Sequence, residues 1–449
     1  DKTTPAYQMG LASADIPALI VTGGPMLNGR WRGQDLGACT DCRRYWTEYR
    51  AGTIGDGELG ELEEALFRSH GHCMVVGTAS TMAAATEGLG MTLPGGAAIP
   101  AADAKRIRFA EESGRRIVAM VEEDLRPGRI LTRAAFENAI RVCVAIGGST
   151  NAVVHLAAVA RRVGVDLPLE LWDELSRETP LVASLRPSGS YQMQELFEAG
   201  GIPAVMRELR PLLRGEALTV TGRTVAENLA GAAPSSRPEV VAPLGVPFAP
   251  EGGISILRGN LAPDGAVIKH AAATPGLLTH RGRAVVFDGV DDMMARVNDD
   301  ELDVTSESVL VLRNAGPVGG PGMPEAGMIP IPRKLLQAGV RDMVRISDAR
   351  MSGTAYGTIV LHVAPEAAVG GPLAVVRDGD EIVLDVPGRR LELVVSDEEI
   401  AARLAALPAR ERHPGARRGY GWLYAEHVTQ APEGCDFDFA GAHWEPLPY

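Results

Sequence analysis

One cysteine stands where its thiol could do chemistry. Cys73 lies in a turn bounded by Gly71 and Gly77, directly before a predicted helix. A thiol near a helix N-terminus has a lowered pKa and readily becomes a thiolate, which suits ligation of a metal or cluster, or nucleophilic attack. A small buried hydrophobic residue explains the same position, so the signal is weak by itself.

A loop dense in glycine and proline, residues 316–324, ends in Glu325. Such a loop lets the backbone approach a neighbour closely or follow an unusual path. The carboxylate at its end favours a metal ligand or a general base, with a solvent-facing glutamate as the alternative.

Ser352 follows the start of an apolar strand and precedes Gly353 and Thr354. The residues before it do not match the Gly-x-Ser-x-Gly elbow of hydrolases. A serine can act as a base at neutral pH only in a strong positive field, such as that of a divalent metal. Without that field, Ser352 is a turn serine.

Two further motifs allow a functional and a structural interpretation. A glycine turn leads into Ser149, Thr150 and Asn151 at a predicted helix start, where free N–H groups favour a carboxylate or phosphate, although ordinary capping explains the same residues. Cys39 and Cys42 form a C-x-x-C pair, typical of redox or zinc sites. No second pair of close-spaced ligands follows, so we predict no metal role for this pair.

The elements that position these residues differ between the two halves. Periodicity predicts a strand over 16–21 and helices over 57–68, 80–89, 102–123, 132–145 and 150–163. Long helices between short strands indicate a three-layer α/β domain. Beyond residue 215, short β-branched runs predict a β-rich sandwich or barrel; they cover 218–220, 266–268, 284–287, 309–312, 359–363, 373–376, 382–384 and 391–395.

These patterns divide the chain into an α/β domain (1–230), a linker (231–250), a β-rich domain (251–407) that ends in a helix over 396–407, and a tail (408–449) rich in aromatics and prolines. We expect the tail to dock on a surface or a neighbouring subunit.

Composition limits the function classes. The chain has 449 residues, of which 45% are hydrophobic, which excludes a disordered or collagenous protein. A net charge of −13 without a lysine or arginine block argues against nucleic acid and anionic membranes as partners, and no apolar run is long enough to cross a bilayer. Five cysteines in a chain of this length indicate a reducing compartment, with the cytoplasm as the default. The chain opens at Asp1 without methionine or a signal-peptide pattern, and we expect residues upstream of it.

Taken together and in this order, the motifs resemble those of the iron–sulfur dehydratases that act on dihydroxy acids and sugar acids, the family that includes phosphogluconate dehydratase. The resemblance runs essentially end to end. Residues 1–5 look like the family's Cys-Asp-Lys-x-x-Pro motif without its cysteine. By this resemblance, Asp1 and a carbamylated Lys2 bind Mg²⁺, and Cys73 binds an Fe–S cluster, [2Fe–2S] or [4Fe–4S], whose other cysteines lie upstream.

The resemblance extends to the second half. It implies that Glu325 is a further Mg²⁺ ligand, that Ser352 is the base and that Thr354 lies beside the substrate. It also implies a parallel sheet in the first domain, a barrel-like second domain, an active site between them, and a homodimer or homotetramer.

Within the family, residues 68–82 and 427–439 look like the sugar-acid branch. The branched-chain amino-acid enzymes usually have Gly-Gly-Met where this chain has Met74, Val75 and Val76. We therefore expect a dehydratase that converts aldonates into 2-keto-3-deoxy acids. The alternatives are a dihydroxy-acid dehydratase of branched-chain biosynthesis, a non-catalytic anion-binding protein that uses the Ser149–Asn151 helix start, and a thiol-redox protein that uses Cys39 and Cys42.

Overall fold

The first half of the protein is built from helices. The computed structural model describes residues 1–408 and 414–441. The helices of this half are α1 (Thr3–Ala14), α2 (Thr40–Ala51), α3 (Asp56–Leu66), α4 (Thr78–Gly88), α5 (Ala104–Glu122), α6 (Pro127–Ile130), α7 (Arg133–Ala145), α8 (Asn151–Arg162), α9 (Leu169–Glu178), α10 (Met193–Glu198), α11 (Gly201–Glu208) and α12 (Val225–Leu229). The five helices predicted by periodicity correspond to α3, α4, α5, α7 and α8, so those predictions are confirmed.

Helices α4, α7 and α8 form the centre of this half. Thr132 caps α7 by accepting a hydrogen bond from the N–H of Ala135, and every residue of α7 from Ala135 onward is buried. Gly88 lets α4 approach α7 closely, because a Cβ there would stand 2.8 Å from the Cα of Ala139. Helices α4 and α7 are therefore in direct contact in the core.

The parallel sheet predicted for this half is absent from residues 1–408 and 414–441, and that expectation is wrong. The first half contains one antiparallel hairpin, β1 (Gly29–Trp31) and β2 (Gln34–Leu36), and isolated bridges. The run 16–21 is extended but has no neighbouring strand. Its Ile20 donates a single backbone hydrogen bond to Met91, and Ile16 and Val21 at its ends are exposed. An apolar run predicts burial, but a strand also needs a partner for its backbone groups.

The second half is a closed eight-stranded barrel, as the β-branched runs predict. Its strands are β3 (Ser255–Gly259), β4 (Ala262–Ile268), β5 (Thr279–Asp288), β6 (Val309–Arg313), β7 (Arg345–Ser347), β8 (Ile359–Ala364), β9 (Glu381–Asp385) and β10 (Arg390–Leu393). They close in the order β10-β3-β4-β8-β7-β6-β5-β9. Neighbours from β5 through β6 and β7 to β8 are parallel, and most other pairs are antiparallel.

Two of the predicted strands are not strands. Residues 373–376 fall largely in a 3-10 helix, Pro372–Val375, whose proline starts a helical turn and has no N–H for a strand ladder. Residues 218–220 contribute an isolated bridge, Leu218 to Thr224. Both runs are apolar because they pack on a core, which a helix or a turn can do as well as a strand.

The remaining helices flank the barrel and include part of the predicted tail. They are α13 (Val290–Arg296), α14 (Arg333–Gln337), α15 (Asp397–Ala405) and α16 (Gly419–His427). After α16 the chain docks on α8, where Arg162 donates from Nε and Nη2 to the two carboxylate oxygens of Asp436 at 2.6 and 2.7 Å. Residues 409–413 and 442–449 of the tail lie outside the described residues. Within the described ranges, no helix is both long and apolar enough to span a bilayer.

Candidate active site

Three charged side chains from distant parts of the chain, Asp1, Lys2 and Glu325, meet between the two halves. The Lys2 ammonium donates to Asp1 Oδ2 at 2.7 Å and to Glu325 Oε1 at 3.2 Å. The side chain of Lys2 is 55% exposed, and those of Asp1 and Glu325 are 32% and 26% exposed. Two carboxylates therefore converge on one cation at a solvent-accessible position.

An amide and a guanidinium group hold the Glu325 carboxylate in place. Asn151 Nδ2, at the start of α8, and Arg350 Nη1 each lie 3.4 Å from Glu325 Oε1. Arg350 is itself anchored, since its Nε donates to the Met323 carbonyl at 2.6 Å. The Gly/Pro loop that carries Glu325 is thus tied to the segment that carries Ser352.

Ser352 and Thr354 form a compact hydroxyl pair. Their side-chain oxygens are 2.8 Å apart, and the Thr354 N–H lies 3.4 Å from Ser352 Oγ. Thr40, at the start of α2, donates to the Thr354 carbonyl at 2.9 Å. Gly77, before α4, makes room for the pair, because a Cβ there would stand 2.6 Å from the Thr354 methyl group. The pair therefore lies against the N-termini of α2 and α4.

Cys73 lies beside Cys39 rather than alone. The Cys73 thiol donates to the Ala38 carbonyl at 2.7 Å. The interaction between the two neighbouring sulfurs lowers the pKa of Cys39 to about 6 and raises the pKa of Cys73 well above its usual value. Thr354, next to this pair of sulfurs, further lowers the pKa of Cys39. Cys39 has φ +68°, a conformation rare for a residue with a side chain. The fold therefore places two cysteine sulfurs next to the hydroxyl pair.

The helix start at Ser149, Thr150 and Asn151 is completely buried. Ser149 Oγ lies 2.9 Å from Thr78 Oγ1, and Asn151 Nδ2 donates to the same Thr78 oxygen at 3.0 Å. These side chains connect α8 to α4, and Asn151 extends the contact to Glu325. Their role in substrate binding stays a prediction.

Sequence reasoning missed Cys39, Thr78 and Arg350 as neighbours of the site. Thr78 lies in the same motif as Cys73, and Arg350 lies in the same motif as Ser352. This closeness in the sequence is a signal by which both could be found. Cys39 was read with Cys42 as a C-x-x-C pair. The structure instead brings its thiol to Cys73, and all five cysteines are free.

Cys42 lies in the first turn of α2 and lines the same cavity as Cys39. Burial and the neighbouring Cys39 raise the pKa of Cys42. Its surroundings form a cavity of about 390 Å³ between α2 and the barrel, lined in part by Arg43, Met328 and Tyr356. Cys39 is thus a neighbour of both Cys42 and Cys73, and its interaction with Cys73 is the larger influence on its pKa.

The donor atoms at the site fit two kinds of inorganic group. Asp1 and Glu325 offer hard carboxylate oxygens, the ligands that Mg²⁺ prefers, and the Lys2 ammonium already lies between them as a cation would. Cys39 and Cys73 offer sulfur, and a thiolate is the form that binds iron. Within residues 1–408 and 414–441, however, no three His, Cys, Asp or Glu side chains converge closely enough to hold a metal ion by themselves.

Comparison with known proteins agrees with these motifs. Residues 1–228 match the family model of the N-terminal domain of dihydroxy-acid/6-phosphogluconate dehydratases, and residues 239–435 match the model of the C-terminal domain.

Three curated relatives cover almost the whole chain. An L-arabinonate dehydratase of Rhizobium leguminosarum bv. trifolii is 52% identical over 98% of this chain and 76% of its own length. A 6-deoxy-6-sulfo-D-gluconate dehydratase of Pseudomonas putida is 48% identical over 98% of the chain and 76% of its length. A dihydroxy-acid dehydratase of Ignicoccus hospitalis is 42% identical over 98% and 78%. The chain belongs to the dihydroxy-acid/6-phosphogluconate dehydratase family.

Proposed function

We propose that this protein is a hydro-lyase that dehydrates sugar acids, aldonates such as pentonates or hexonates, to 2-keto-3-deoxy acids. The observation that carries the proposal is the convergence of the Asp1 and Glu325 carboxylates on the Lys2 ammonium. This cluster lies in the same interdomain site as the Ser352 hydroxyl. The higher identity to the two sugar-acid dehydratases than to the dihydroxy-acid dehydratase supports an aldonate substrate.

The proposed reaction uses Mg²⁺ held by Asp1, Glu325 and a carbamylated Lys2, and an Fe–S cluster held in part by Cys73. When bound, these groups supply positive charge for the substrate carboxylate and C2 hydroxyl, and a Lewis acid for the C3 hydroxyl. The acidity of the chain is compatible with an anionic substrate because the positive charge is local.

The chain's own residues handle the proton. Ser352 Oγ removes the C2 proton, and Thr354 Oγ1, 2.8 Å away, donates a hydrogen bond that stabilises the negative charge on the serine oxygen. The N-terminus of α4 adds a positive potential at the same place, because Thr78 begins this helix and Gly353 packs on its N–H.

The elimination balances without an oxidant. The C2–H electron pair forms the C2–C3 double bond, and the C3 hydroxyl leaves with one proton as water. The resulting enol takes up a proton at C3, loses the proton of its C2 hydroxyl and becomes the 2-keto-3-deoxy acid. Arg350 and Asn151 keep Glu325 in place during these steps.

The test is an assay of the protein purified without oxygen and supplied with iron, sulfide and Mg²⁺. Pentonates, hexonates and 2,3-dihydroxyisovalerate are offered separately, and 2-keto acid formation is measured. Turnover of one or more aldonates is the expected result. Turnover of dihydroxyisovalerate alone would assign the protein to branched-chain biosynthesis, and binding of aldonates without turnover by the cluster-loaded protein would favour an anion-binding function.

We also propose that the protein works in the cytoplasm as a homodimer or homotetramer. The tail supports this assembly, because Tyr420 and Phe439 near its end are large, aromatic and exposed. Size-exclusion chromatography with light scattering distinguishes these states from a monomer.

A further inference from the structure

A buried lysine lies directly behind the hydroxyl pair. Lys269 follows the last residue of β4 and is only 1% exposed. Its ammonium reaches the Gly353 carbonyl at 3.5 Å, and the described part of the chain offers it no other hydrogen-bond acceptor and no carboxylate. Burial alone lowers the pKa of Lys269 to about 7.

This environment is costly for the folded state. Burying an ammonium removes its hydrogen bonds to water, and one long hydrogen bond to a carbonyl does not replace them. Lys334 shows the ordinary arrangement in the same protein, since it is partly exposed and its ammonium donates to the carbonyls of Asp300 and Leu302 at 2.7 and 2.6 Å. Lys269 is therefore poorly explained as a stabilising residue.

The peptide that Lys269 contacts leads to Ser352. The Gly353 carbonyl and the Thr354 N–H belong to one peptide group, and this N–H lies 3.4 Å from Ser352 Oγ. A cation at the carbonyl polarises the peptide, so that its N–H becomes a stronger donor to the serine oxygen. The effect is undamped by solvent, because Gly353 and Thr354 are both buried.

The turn is held too tightly for the peptide to rotate away. A Cβ at Gly353 would stand 2.5 Å from the Ser149 side chain and 2.8 Å from the Thr78 nitrogen. On the other side, the segment after Lys269 is bonded to the same loop, since the Gly357 N–H donates to the Ala272 carbonyl at 2.8 Å. The ammonium, the peptide and the hydroxyl are thus fixed relative to one another.

We propose that Lys269 is a positioning residue whose ammonium, acting through the Gly353–Thr354 peptide, favours the anionic form of Ser352. The inference rests on the proposed function, because it takes Ser352 as the base. It assigns to the barrel a positive charge that is present at the proton-transfer step whenever Lys269 is protonated, and this charge is separate from the carboxylate-bound cation.

The test compares Lys269→Met, Lys269→Arg and the control Lys334→Met in the cluster-loaded, Mg²⁺-supplied protein. Lys269→Met is expected to lower kcat by about 10- to 100-fold while KM changes less than about threefold, because the interaction acts in the transition state. Lys269→Arg retains the charge and is expected to recover part of kcat. Lys334→Met is expected to leave kcat unchanged.

Urea unfolding at neutral pH gives a readout that does not depend on turnover. Lys269→Met is expected to be at least as stable as the unchanged protein, and Lys334→Met less stable, because only Lys334 makes good hydrogen bonds. A Lys269→Met protein that is less stable than the unchanged one, or that keeps its kcat, overturns the inference. If the unchanged protein turns over no aldonate, the proposed function fails, and the unfolding comparison still decides whether Lys269 serves stability.

Discussion

The two lysines of the site occupy opposite environments. Lys2 is half exposed and lies between the carboxylates of Asp1 and Glu325, whereas Lys269 is buried and contacts one carbonyl. Water and salt screen the first charge, and a dissolved cation can compete for its carboxylates; the second acts through a medium of low dielectric constant and cannot be exchanged. The site therefore has an exposed part around Lys2, where one cation can replace another, and an inner part around Lys269 and Ser352, where the electric field depends on the fold.

The largest effect is expected in the inner part of the site, at the proposed base Ser352. Ser352→Ala removes the oxygen that accepts the proton, and kcat is expected to fall by about 10³-fold. The protein should remain folded, because the serine is only partly buried and its main side-chain partner is Thr354. Steady-state kinetics and circular dichroism check both parts, with the exposed Ser306→Ala as control. Unchanged kcat in Ser352→Ala would assign the proton transfer to another group.

Cation binding in the exposed part of the site around Lys2 is tested at Glu325. Glu325→Gln removes one of the two carboxylates that meet Lys2, and the Mg²⁺ concentration needed for half-maximal activity is expected to rise by about 10²-fold. Titration of activity with Mg²⁺ measures the effect, and Glu301→Gln, on an exposed loop, is the control. A Mg²⁺ requirement identical to that of the unchanged protein would contradict a ligand role for Glu325.

The packing that fixes the hydroxyl pair is tested at Gly353. Gly353→Ala brings a methyl group against Ser149 and Thr78, and the expected loss is about 1–3 kcal/mol of unfolding free energy together with a lower kcat. Gly276→Ala is the matched control, because a Cβ there meets nothing within 4 Å. Equal unfolding curves for the two variants would show that the turn can relax.

The buried charge also predicts a pH dependence of stability. The folded protein releases the Lys269 proton at about pH 7, but the unfolded chain keeps it to about 10.5. Unfolding therefore takes up a proton between these values, so this lysine makes stability rise with pH by up to about 1.4 kcal/mol per unit. No charged neighbour contributes to the shift, so burial alone sets it. Urea unfolding across this range should show the advantage of Lys269→Met shrinking as pH rises, and a constant difference would contradict the burial of a titrating lysine.

Much of the fold could be predicted from local patterns. Helix α7 carries its cap at Thr132 and its apolar face in one continuous segment, and the β-branched runs of the barrel alternate with glycine and proline turns. The sheet predicted around residues 16–21 failed because strand pairing depends on distant residues. The run 373–376 failed for a related reason, since its burial does not specify a strand.

The candidate site was predictable where a motif carries its own residues. Glu325, Ser352 and Cys73 stand out by their sequence surroundings, and the structure brings them to one interdomain region. Cys39 stands out only as a partner of Cys42, and Lys269 does not stand out, because nothing near either residue in the sequence points to Cys73 or Gly353. The ligand roles of Cys73 and Glu325 and the catalytic role of Ser352 stay predictions until the variants are measured.

The sequence by itself predicted six of the helices, a β-rich second half, the family and the residue types available for metal and proton chemistry, since these depend on local pattern and on motifs. The contact of Lys2 with Glu325, 323 positions away, agrees with what the family resemblance implies. Only the tertiary structure decided that Cys39 lies beside Cys73 and that the buried Lys269 ammonium contacts the Gly353 carbonyl. Such contacts join segments far apart in the chain, and they form only when the core brings those segments together and excludes water around them.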